Sequence, residues 1–477
     1  METVNHVVGV AAVVVLSFSL TYFVTMVVKG VRLVRRSRLK LRDQEKVAPD
    51  SAFSTTREIY FLVAALNEAE VIGETVRRLG ENGDHVTVVV VDDGSDDGTG
   101  PLARAASHRA VVVRRDLPEA RQGKGEALNA GLGYILNDVR KRGLRTQDVV
   151  LCVMDADGRL SDGAVTRVLP LFDEETVGGV QLSVRIRNTD KLITRFQDVE
   201  FWMVSALTQF GRVGVGTVSL GGNGQFTRLA AVLELGERPW SKSLTEDLDL
   251  SISLNIRGWR TVTTPHAYVD QQGVTKYRAL VKQRTRWYQG TMQCAGRIPE
   301  IWRSRKLSTI AALELCAYVL VPWLVVLPWS VIQHYALVQG IIGTTHIFPD
   351  VASGSPVMRI SYAVFWYIAS FFPNIMIGVL YGRRTKQVGM GKAFLLGHGM
   401  LVWNYVGYLA TYKALWRILR RQTSWAKTAR VAETPAGMPD EGRHAMNPAA
   451  LSVQELIAKS TKSPMQPGLP AQPGAKI

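Results

Sequence analysis

The chain has 477 residues, 47% of them hydrophobic, and a formal net charge of +16. In a soluble protein such a basic surplus would point to nucleic acid, but here Lys and Arg gather beside long apolar runs, the pattern of a membrane protein with basic cytoplasmic flanks. Cys152, Cys294 and Cys316 stand far apart with no metal or disulfide spacing, which excludes a disulfide framework.

Val7 to Val28 is almost entirely apolar and meets the roughly 20 residues that a bilayer crossing needs. It has no Ala-x-Ala-like cleavage site and no basic start, so it reads as an anchor rather than a signal peptide. Lys29, Arg32, Arg35, Arg36, Arg38, Lys40 and Arg42 follow at once. Positive charge stays inside, which puts the N-terminus outside and the next segment in the cytoplasm. Residues 1–28 are therefore expected to be a transmembrane helix and 29–50 a basic cytoplasmic linker.

Arg57 to Ala65 ends in an apolar strand, followed by Asn67-Glu68 and an amphipathic stretch to Leu79. Val86 to Val91 is a second strand running into Asp92-Asp93-Gly94-Ser95, and Ala110 to Val113 a third. Gly123-Lys124-Gly125 through Asn129-Ala130-Gly131 opens a helix. Val149 to Met154 is next, six apolar residues that end in Asp155-Ala156-Asp157-Gly158. Such a run predicts a strand buried on both faces, with its acids at the carboxyl edge where ligands bind in open α/β sheets. Residues i and i+2 of a strand point the same way, so Asp155 and Asp157 can face one ligand if the extended geometry persists that far. Strand alternating with helix predicts a doubly wound, mostly parallel sheet. Three polar clusters at one edge describe a nucleotide site, with Glu68 and Asp93 accepting from base and ribose donors. Lys124 is either a phosphate partner or a solvated surface lysine, since Gly123-Lys124-Gly125 lacks the remainder of a P-loop.

In this order the motifs Asn67-Glu68, Asp92-Asp93-Gly94-Ser95, Gly123-Lys124-Gly125 through Asn129, and Asp155-Ala156-Asp157 resemble the inverting glycosyltransferases of family 2. That resemblance implies a GT-A, Rossmann-like cytoplasmic domain joined to transmembrane α-helices. Ala64 is a departure, standing where the family often has Pro. Further on, Phe196 to Phe210 is either an interfacial or an ordinary core helix, both having the same periodicity. Gly221-Gly222-Asn223-Gly224 permits close backbone approach to a ligand. Ser243 and Glu246 have capping-box spacing around Leu244-Thr245, and the resemblance maps the family's catalytic base to Asp247, next to Glu246. Gln283, Arg286 and Trp287 stand at i, i+3 and i+4 and share one helix face. They suit diphosphate and sugar, although an interfacial helix also favours Arg and Trp. Their order matches the Q-x-x-R-W signature of processive members such as cellulose, hyaluronan, chitin-oligosaccharide and poly-N-acetylglucosamine synthases.

The domain is expected over 51–302, with a C-terminal region of two to three crossings over 303–421 and a cytoplasmic or disordered tail over 422–477. Thr309 to Val338, Met358 to Leu380 and Ala393 to Leu419 are each long enough to span. Arg383, Arg384 and Lys386 place the loop after the second inside, so a full third crossing would put Arg417, Arg420 and Arg421 outside, against the charge rule. A re-entrant or interfacial last stretch would remove that conflict.

By resemblance, the expected function is transfer of a sugar from a nucleotide sugar, most simply UDP-linked, to a growing β-linked polysaccharide at the cell membrane, with export and any accessory export partners left open. The alternatives are a single transfer to a membrane lipid, or a nucleotide-binding receptor or transporter; no nucleic acid is expected. Mg²⁺ or Mn²⁺ would sit on Asp157, with Asp155 on metal or ribose. Asn67, Glu68, Asp93, Lys124 and Asp155 would hold the nucleotide, and Gln283, Arg286 and Trp287 the diphosphate and acceptor. A helix dipole would stabilise the Asp247 carboxylate by about 0.3–1 kcal/mol.

Overall fold

A computed structural model describes residues 2–47, 57–341 and 355–422. The first helix, α1 (Glu2–Val47), does not stop at Val28 but runs on through the basic stretch. Then come β1 (Glu58–Ala65), α2 (Ile72–Gly80), β2 (Val86–Asp92), α3 (Thr99–Ala106), β3 (Ala110–Arg114), α4 (Lys124–Lys141) and β4 (Val149–Met154). Every residue of β4 is buried, as its unbroken apolar run requires. The chain continues through β5 (Arg159–Leu160), α5 (Ala164–Val168), β6 (Val177–Ile186) and α6 (Leu192–Val199). A π-helical segment, Glu200–Ser205, joins α6 to α7 (Ala206–Arg212). β7 (Gln225–Arg228), α8 (Leu229–Leu233), α9 (Glu246–Ile256), β8 (Arg260–Gln271), α10 (Tyr277–Cys294) and α11 (Ile298–Arg303) complete the domain. Beyond it lie α12 (Thr309–Val321) and α13 (Leu327–Ile341), joined by a second π segment at Pro322–Val326, then α14 (Pro356–Thr385) and α15 (Met390–Leu419).

One eight-stranded sheet runs in the order β3-β2-β1-β4-β7-β6-β8-β5. β3, β2, β1 and β4 are parallel, the Rossmann-like half that the alternating pattern predicts. Beyond β4 the sheet is mixed, because β7 runs antiparallel to both β4 and β6. The architecture is thus GT-A-like, a mixed sheet that is mostly parallel, as expected. Strand order reverses between β1 and β4, so the crevice at their carboxyl ends is the switch point where ligands bind in such sheets. Two apolar layers cover the faces: Ile59, Phe61 and Val63 point to one, Tyr60 and Leu62 to the other.

Among the described residues, two helical stretches are long and apolar enough to cross a membrane, His6–Ser37 and Thr309–Tyr335. Both are fastened to the domain at one polar node. Arg212, fully buried at the end of α7, pairs its Nε with Glu314 Oε1 of α12 at 2.7 Å. Glu314 also accepts from Tyr22 of α1 at 3.0 Å and from Thr217 at 2.5 Å. The Arg212 guanidinium lies 4.0 Å over the Tyr318 ring. Gly30 and Gly211 let α1 and α7 touch backbone to backbone: a Cβ on Gly30 would sit 2.5 Å from the Leu207 carbonyl oxygen, and one on Gly211 2.4 Å from that of Met26.

Removing one partner of a buried ion pair leaves the other charge uncompensated, which typically costs about 3–5 kcal/mol. Glu314→Ala is therefore expected to lower stability in detergent by about that amount. The double change Arg212→Met with Glu314→Leu, which removes both charges, should lose distinctly less in the same denaturation measurement.

Candidate active site

The switch-point crevice opens into a cavity of about 340 Å³ whose wall includes Glu68, Asp93, Lys124, Asp155, Glu246, Asp247, Gln283, Arg286 and Trp287. Nine of the eleven residues singled out in the sequence thus share one space. Asn67 and Asp157 are the two outside the wall.

Asn67 has φ +53 and ties two strand-end loops together. Its backbone N–H donates to Ser95 Oγ at 3.0 Å, and its Oδ1 accepts from the Asp96 N–H at 3.0 Å. The Glu68 N–H donates to Thr99 Oγ1, and the Ala69 N–H to Asp97 Oδ2. Much of the Asp92–Thr99 run therefore holds the loop after β1 in place. Asp93 faces the cavity with its carboxylate 2.5 Å from Arg115. Burial raises its pKa, against the pull of Arg115.

Asp155 and Asp157 part company because β4 ends at Met154. The next residues turn, with the Gly158 N–H donating to the Asp155 carbonyl at 2.9 Å, so the strand alternation that would aim both acids one way is lost. Asp155 enters the cavity, and its Oδ1 accepts from Lys124 Nζ at 2.6 Å. Asp157 is 1% exposed and turns its Oδ2 to the Gln272 N–H at 2.9 Å. Among the described residues no three His, Cys, Asp or Glu side chains gather as a metal cage. Mg²⁺ commonly takes only one or two carboxylates and completes its shell with phosphate oxygens and water. Asp155, a hard oxygen donor on the wall, fits that role; Asp157 does not reach the wall.

Lys124 is the first residue of α4, where a helix dipole disfavours a cation. Burial also works against its charge, yet Asp155, Glu246 and Asp247 outweigh that, and its pKa is raised. Its Nζ also donates to the Gly222 carbonyl at 2.9 Å. Gly222 has φ +67, and a Cβ there would lie 2.9 Å from Asp247 Oδ2 and 3.2 Å from Lys124 Nζ. Only glycine lets this loop pass between Asp247 and Lys124. The remainder of the Gly123–Asn129 motif docks the segment leading to α9. Gly125 lies against the Ser241 carbonyl, where a Cβ would sit at 2.4 Å, and the Asn129 amide clasps the backbone N–H and C=O of Trp240. Sequence reasoning missed that clasp, whose only sequence signal was the exact glycine and asparagine spacing.

Helix α9 starts at Glu246 with Thr245 as N-cap and no side-chain capping bond. The Ser243–Glu246 capping box is therefore not formed: Ser243 Oγ accepts from the Thr245 N–H at 3.2 Å instead, two residues ahead of the N-cap. Asp247 is in the first turn, as expected, and accepts from the Leu248 N–H at 2.7 Å. The helix end does not set its acidity. Burial raises the pKa of Asp247, against Lys124, and raises that of Glu246 to about 7.

Gln283, Arg286 and Trp287 do share the cavity face of α10. The residue between them that sequence reasoning passed over, Arg284, fixes that face. It is buried, its Nη2 lies 2.9 Å from Glu200 Oε2, and its guanidinium sits 4.2 Å over the Trp287 ring and 5.0 Å over Phe201. Phe201 meets Trp287 edge-on at 5.9 Å. The π segment thus turns Glu200 and Phe201 toward α10 and holds the indole from one side. Further along α10, Gly290 admits Thr245, whose Oγ1 would lie 2.5 Å from a Cβ there, so α10 rests directly on the start of α9.

Residues 56–290 match the family described as glycosyltransferase like family 2. Over 278 residues the chain is 31% identical to a β-monoglucosyldiacylglycerol synthase of Synechocystis, which covers 56% of this chain and 54% of that protein. It is 29% identical over 247 residues to a poly-β-1,6-N-acetyl-D-glucosamine synthase of Staphylococcus aureus, covering 51% of this chain and 56% of that one. The match thus spans about half the length of these curated relatives. Among solved structures, a mannosyltransferase from Pyrobaculum calidifontis in complex with GDP-Man and Mn²⁺ aligns over 86% of this chain and 99% of that chain, at 17% identity and a TM-score of 0.49.

Lys124 lowers the pKa of both Asp247 and Glu246, so Lys124→Ala should let both rise further. A close opposite charge typically moves a carboxyl by about 1–3 units. The infrared band of protonated carboxyl in the cavity, assigned by its loss in Asp247→Asn, is expected to persist to a pH about 1 unit or more higher in Lys124→Ala than in the parent.

Proposed function

We propose, with residues 56–290 as a family 2 glycosyltransferase domain, that this chain transfers a sugar with inversion from a nucleotide diphosphate donor to an acceptor hydroxyl presented at a membrane. The observation that carries the reading is that Asp247 lies on the same cavity wall as the Lys124–Asp155 pair and as Trp287. One end of the cavity offers a cation for a diphosphate, the other an apolar ring for a sugar, and a carboxylate stands in the same space.

The nucleotide enters at the β1–β4 switch point, with Glu68 and Asp93 placed for base and ribose donors. Lys124, released from part of its carboxylate load, meets the diphosphate, and Arg286 extends the positive side. A divalent cation on Asp155 would add charge neutralisation at the leaving group. The acceptor ring stacks on Trp287, which Arg284 and Phe201 brace from behind. Asp247 takes the acceptor proton as the oxygen forms its bond to the anomeric carbon. The bond from that carbon to the diphosphate breaks, and its electron pair leaves with the nucleotide. A single displacement turns an α-linked donor into a β-glycoside. Asp247 must be ionised to act, so its raised pKa moves the acid limb of the pH profile upward from the ordinary carboxylate range.

Two features favour a membrane-presented acceptor. Tyr318 of α12 contributes to the cavity wall, and α12 belongs to a candidate crossing. Phe201, Ser205, Ala206 and Gln209 wall the same side, on the helix that α1 packs against. Polymer elongation is the first reading, because Gln283, Arg286 and Trp287 form a single sugar-facing side. Transfer to a glycolipid is the second, favoured by the 31% identity to a glycolipid synthase. We place the domain in the cytoplasm of a multi-pass membrane protein. A UDP-sugar screen with product sizing separates the readings: a ladder of lengths supports polymer and one lipid-soluble product supports glycolipid, whereas no transfer from any donor overturns the proposal.

Asp247→Asn keeps shape but cannot take a proton. It should bind UDP nearly as well as the parent in calorimetry while transfer falls by about 10²-fold or more. Trp287→Ala should retain UDP binding and lose elongation, because only the acceptor platform is removed. Normal elongation by Asp247→Asn, or loss of UDP binding by Trp287→Ala, would reverse the division of roles.

Chelation by EDTA is expected to stop transfer, and Mg²⁺ or Mn²⁺ to restore it. Full turnover in chelator would remove the metal from Asp155.

A further inference from the structure

Strand β6 turns Val180 and Leu182 toward one apolar layer. Alternation then turns Gln181 to the opposite face. Gln181 is 5% exposed, stands in a strand made mostly of Val, Leu and Gly, and belongs to the cavity wall. A buried amide costs free energy unless its polar atoms find partners, and here both do. Gln181 Oε1 accepts from the Gly221 N–H at 2.7 Å. Its Nε2 donates to the Asn223 carbonyl at 2.7 Å and to the Leu182 carbonyl at 3.0 Å. One side chain thus holds the residues on both sides of Gly222.

A second amide continues the network. Asn223, 1% exposed, accepts at Oδ1 from the Asp155 N–H at 3.2 Å, and its Nδ2 donates to Gln271 Oε1 at 3.0 Å. Gly158 comes so close to that Oδ1 that a Cβ would sit at 2.6 Å. The Gly221–Asn223 loop and the turn after β4 are therefore fastened to each other. These two segments supply acceptors to the Lys124 ammonium, the Gly222 carbonyl at 2.9 Å and Asp155 Oδ1 at 2.6 Å. Glu246 and Asp247 of α9 attract the same ammonium. A lysine is a point charge on a flexible stem, so three carboxylates alone would let it rest against any of them. The Gly222 carbonyl gives it one place, and only while that peptide stays turned toward it.

We propose that Gln181, with Asn223, is a positioning residue: it aims Lys124 at the place of the diphosphate by fixing the Gly222 carbonyl and, through Asn223, the backbone of Asp155. Neither amide carries charge, so each acts on an incoming anion only through where it leaves the ammonium. The inference rests on the reading of this cavity as the site of a nucleotide diphosphate donor.

Full-length protein in detergent is compared with Gln181→Met, which keeps the length of the side chain and loses its three hydrogen bonds. UDP and uridine are titrated in EDTA, UDP by calorimetry and uridine by ligand-observed NMR. Loss of a well-placed charge-assisted contact is expected to weaken UDP binding by about tenfold. Uridine, which has no phosphate, should bind as before. Lys124→Ala should weaken UDP at least as much, and the double variant no more than Lys124→Ala alone, because no ammonium is left to aim. Unchanged UDP affinity in Gln181→Met overturns the proposal. Equal losses for UDP and uridine would make Gln181 a general support of the fold, and additive losses would make it independent of Lys124; either also overturns it. Asn223→Ser should repeat the pattern, and it carries the test if Gln181→Met does not fold. Acetic anhydride labelling of Lys124, with exposed Lys141 as internal standard, needs no nucleotide. The Lys124 to Lys141 ratio should rise severalfold in Gln181→Met, and an unchanged ratio overturns the positioning. A raised ratio in a protein that binds no UDP keeps the positioning and refutes the donor reading alone.

Discussion

One buried ammonium makes the site possible. Asp155, Glu246 and Asp247 open into a single cavity, and each carboxylate removed from water there would cost several kcal/mol if left uncompensated. Lys124 answers all three, and their joint field keeps it charged although burial and the start of a helix both disfavour that. The local backbone follows from this need. Gly123 at φ +119 turns the chain into α4, Gly125 and Asn129 dock the segment before α9, and Gly222 passes between the lysine and Asp247. In the proposed reaction an incoming diphosphate would compete with the carboxylates for the same cation, which would couple donor binding to the protonation of Asp247 through Lys124.

A second constraint joins this chemistry to the apolar helices. Arg212 and Glu314 form an ion pair inside the protein, and Tyr22, Thr217 and Ser219 complete its hydrogen bonds. Ser219 and Tyr318 belong both to this network and to the cavity wall. Arg284 does the same on the other side, linking Glu200, Phe201 and Trp287, while Glu200 also receives Trp403 of α15. Helices α1, α12 and α15 are therefore tied to the walls of the cavity through Arg212 and Arg284 and their partners. Buried ion pairs are weak sources of stability but set register well when every partner is satisfied. Here they fix where apolar helices, which could slide on dispersion contacts alone, meet the domain.

The sequence was informative where local physics has few solutions. An unbroken run such as Val149–Met154 can hardly be anything but a buried strand, and β4 has those bounds. The i, i+3, i+4 spacing of Gln283, Arg286 and Trp287 is a property of any helix, so their common face needed no tertiary knowledge. Asp247 in the first turn of α9 was legible for the same reason. The common orientation of Asp155 and Asp157 did not hold, because whether a strand continues three residues past its last apolar position depends on its partners. It failed for the capping box because Ser243 had a nearer N–H to satisfy. Asn67 was legible as important but not as a loop clip. The 422–477 tail lies outside the described residues apart from Gln422.

What the sequence determined by itself was the strand–helix alternation, the acidic carboxyl edge, the apolar helices and the residue types of the site, all of which arise from periodicity and charge over short stretches. What only the tertiary structure decided was which charges meet. The acidity of Asp247 is the clearest case: its place in a helix would lower its pKa, but burial in a shared cavity raises it. The contacts of α15 are another: its length allowed a crossing, and only the fold shows that Trp403 meets Glu200 and Arg417 meets Gln289. Electrostatic and packing energies depend on distance in space, and residues as far apart as Lys124 and Asp247, or Arg212 and Glu314, acquire that distance only when the whole chain has folded.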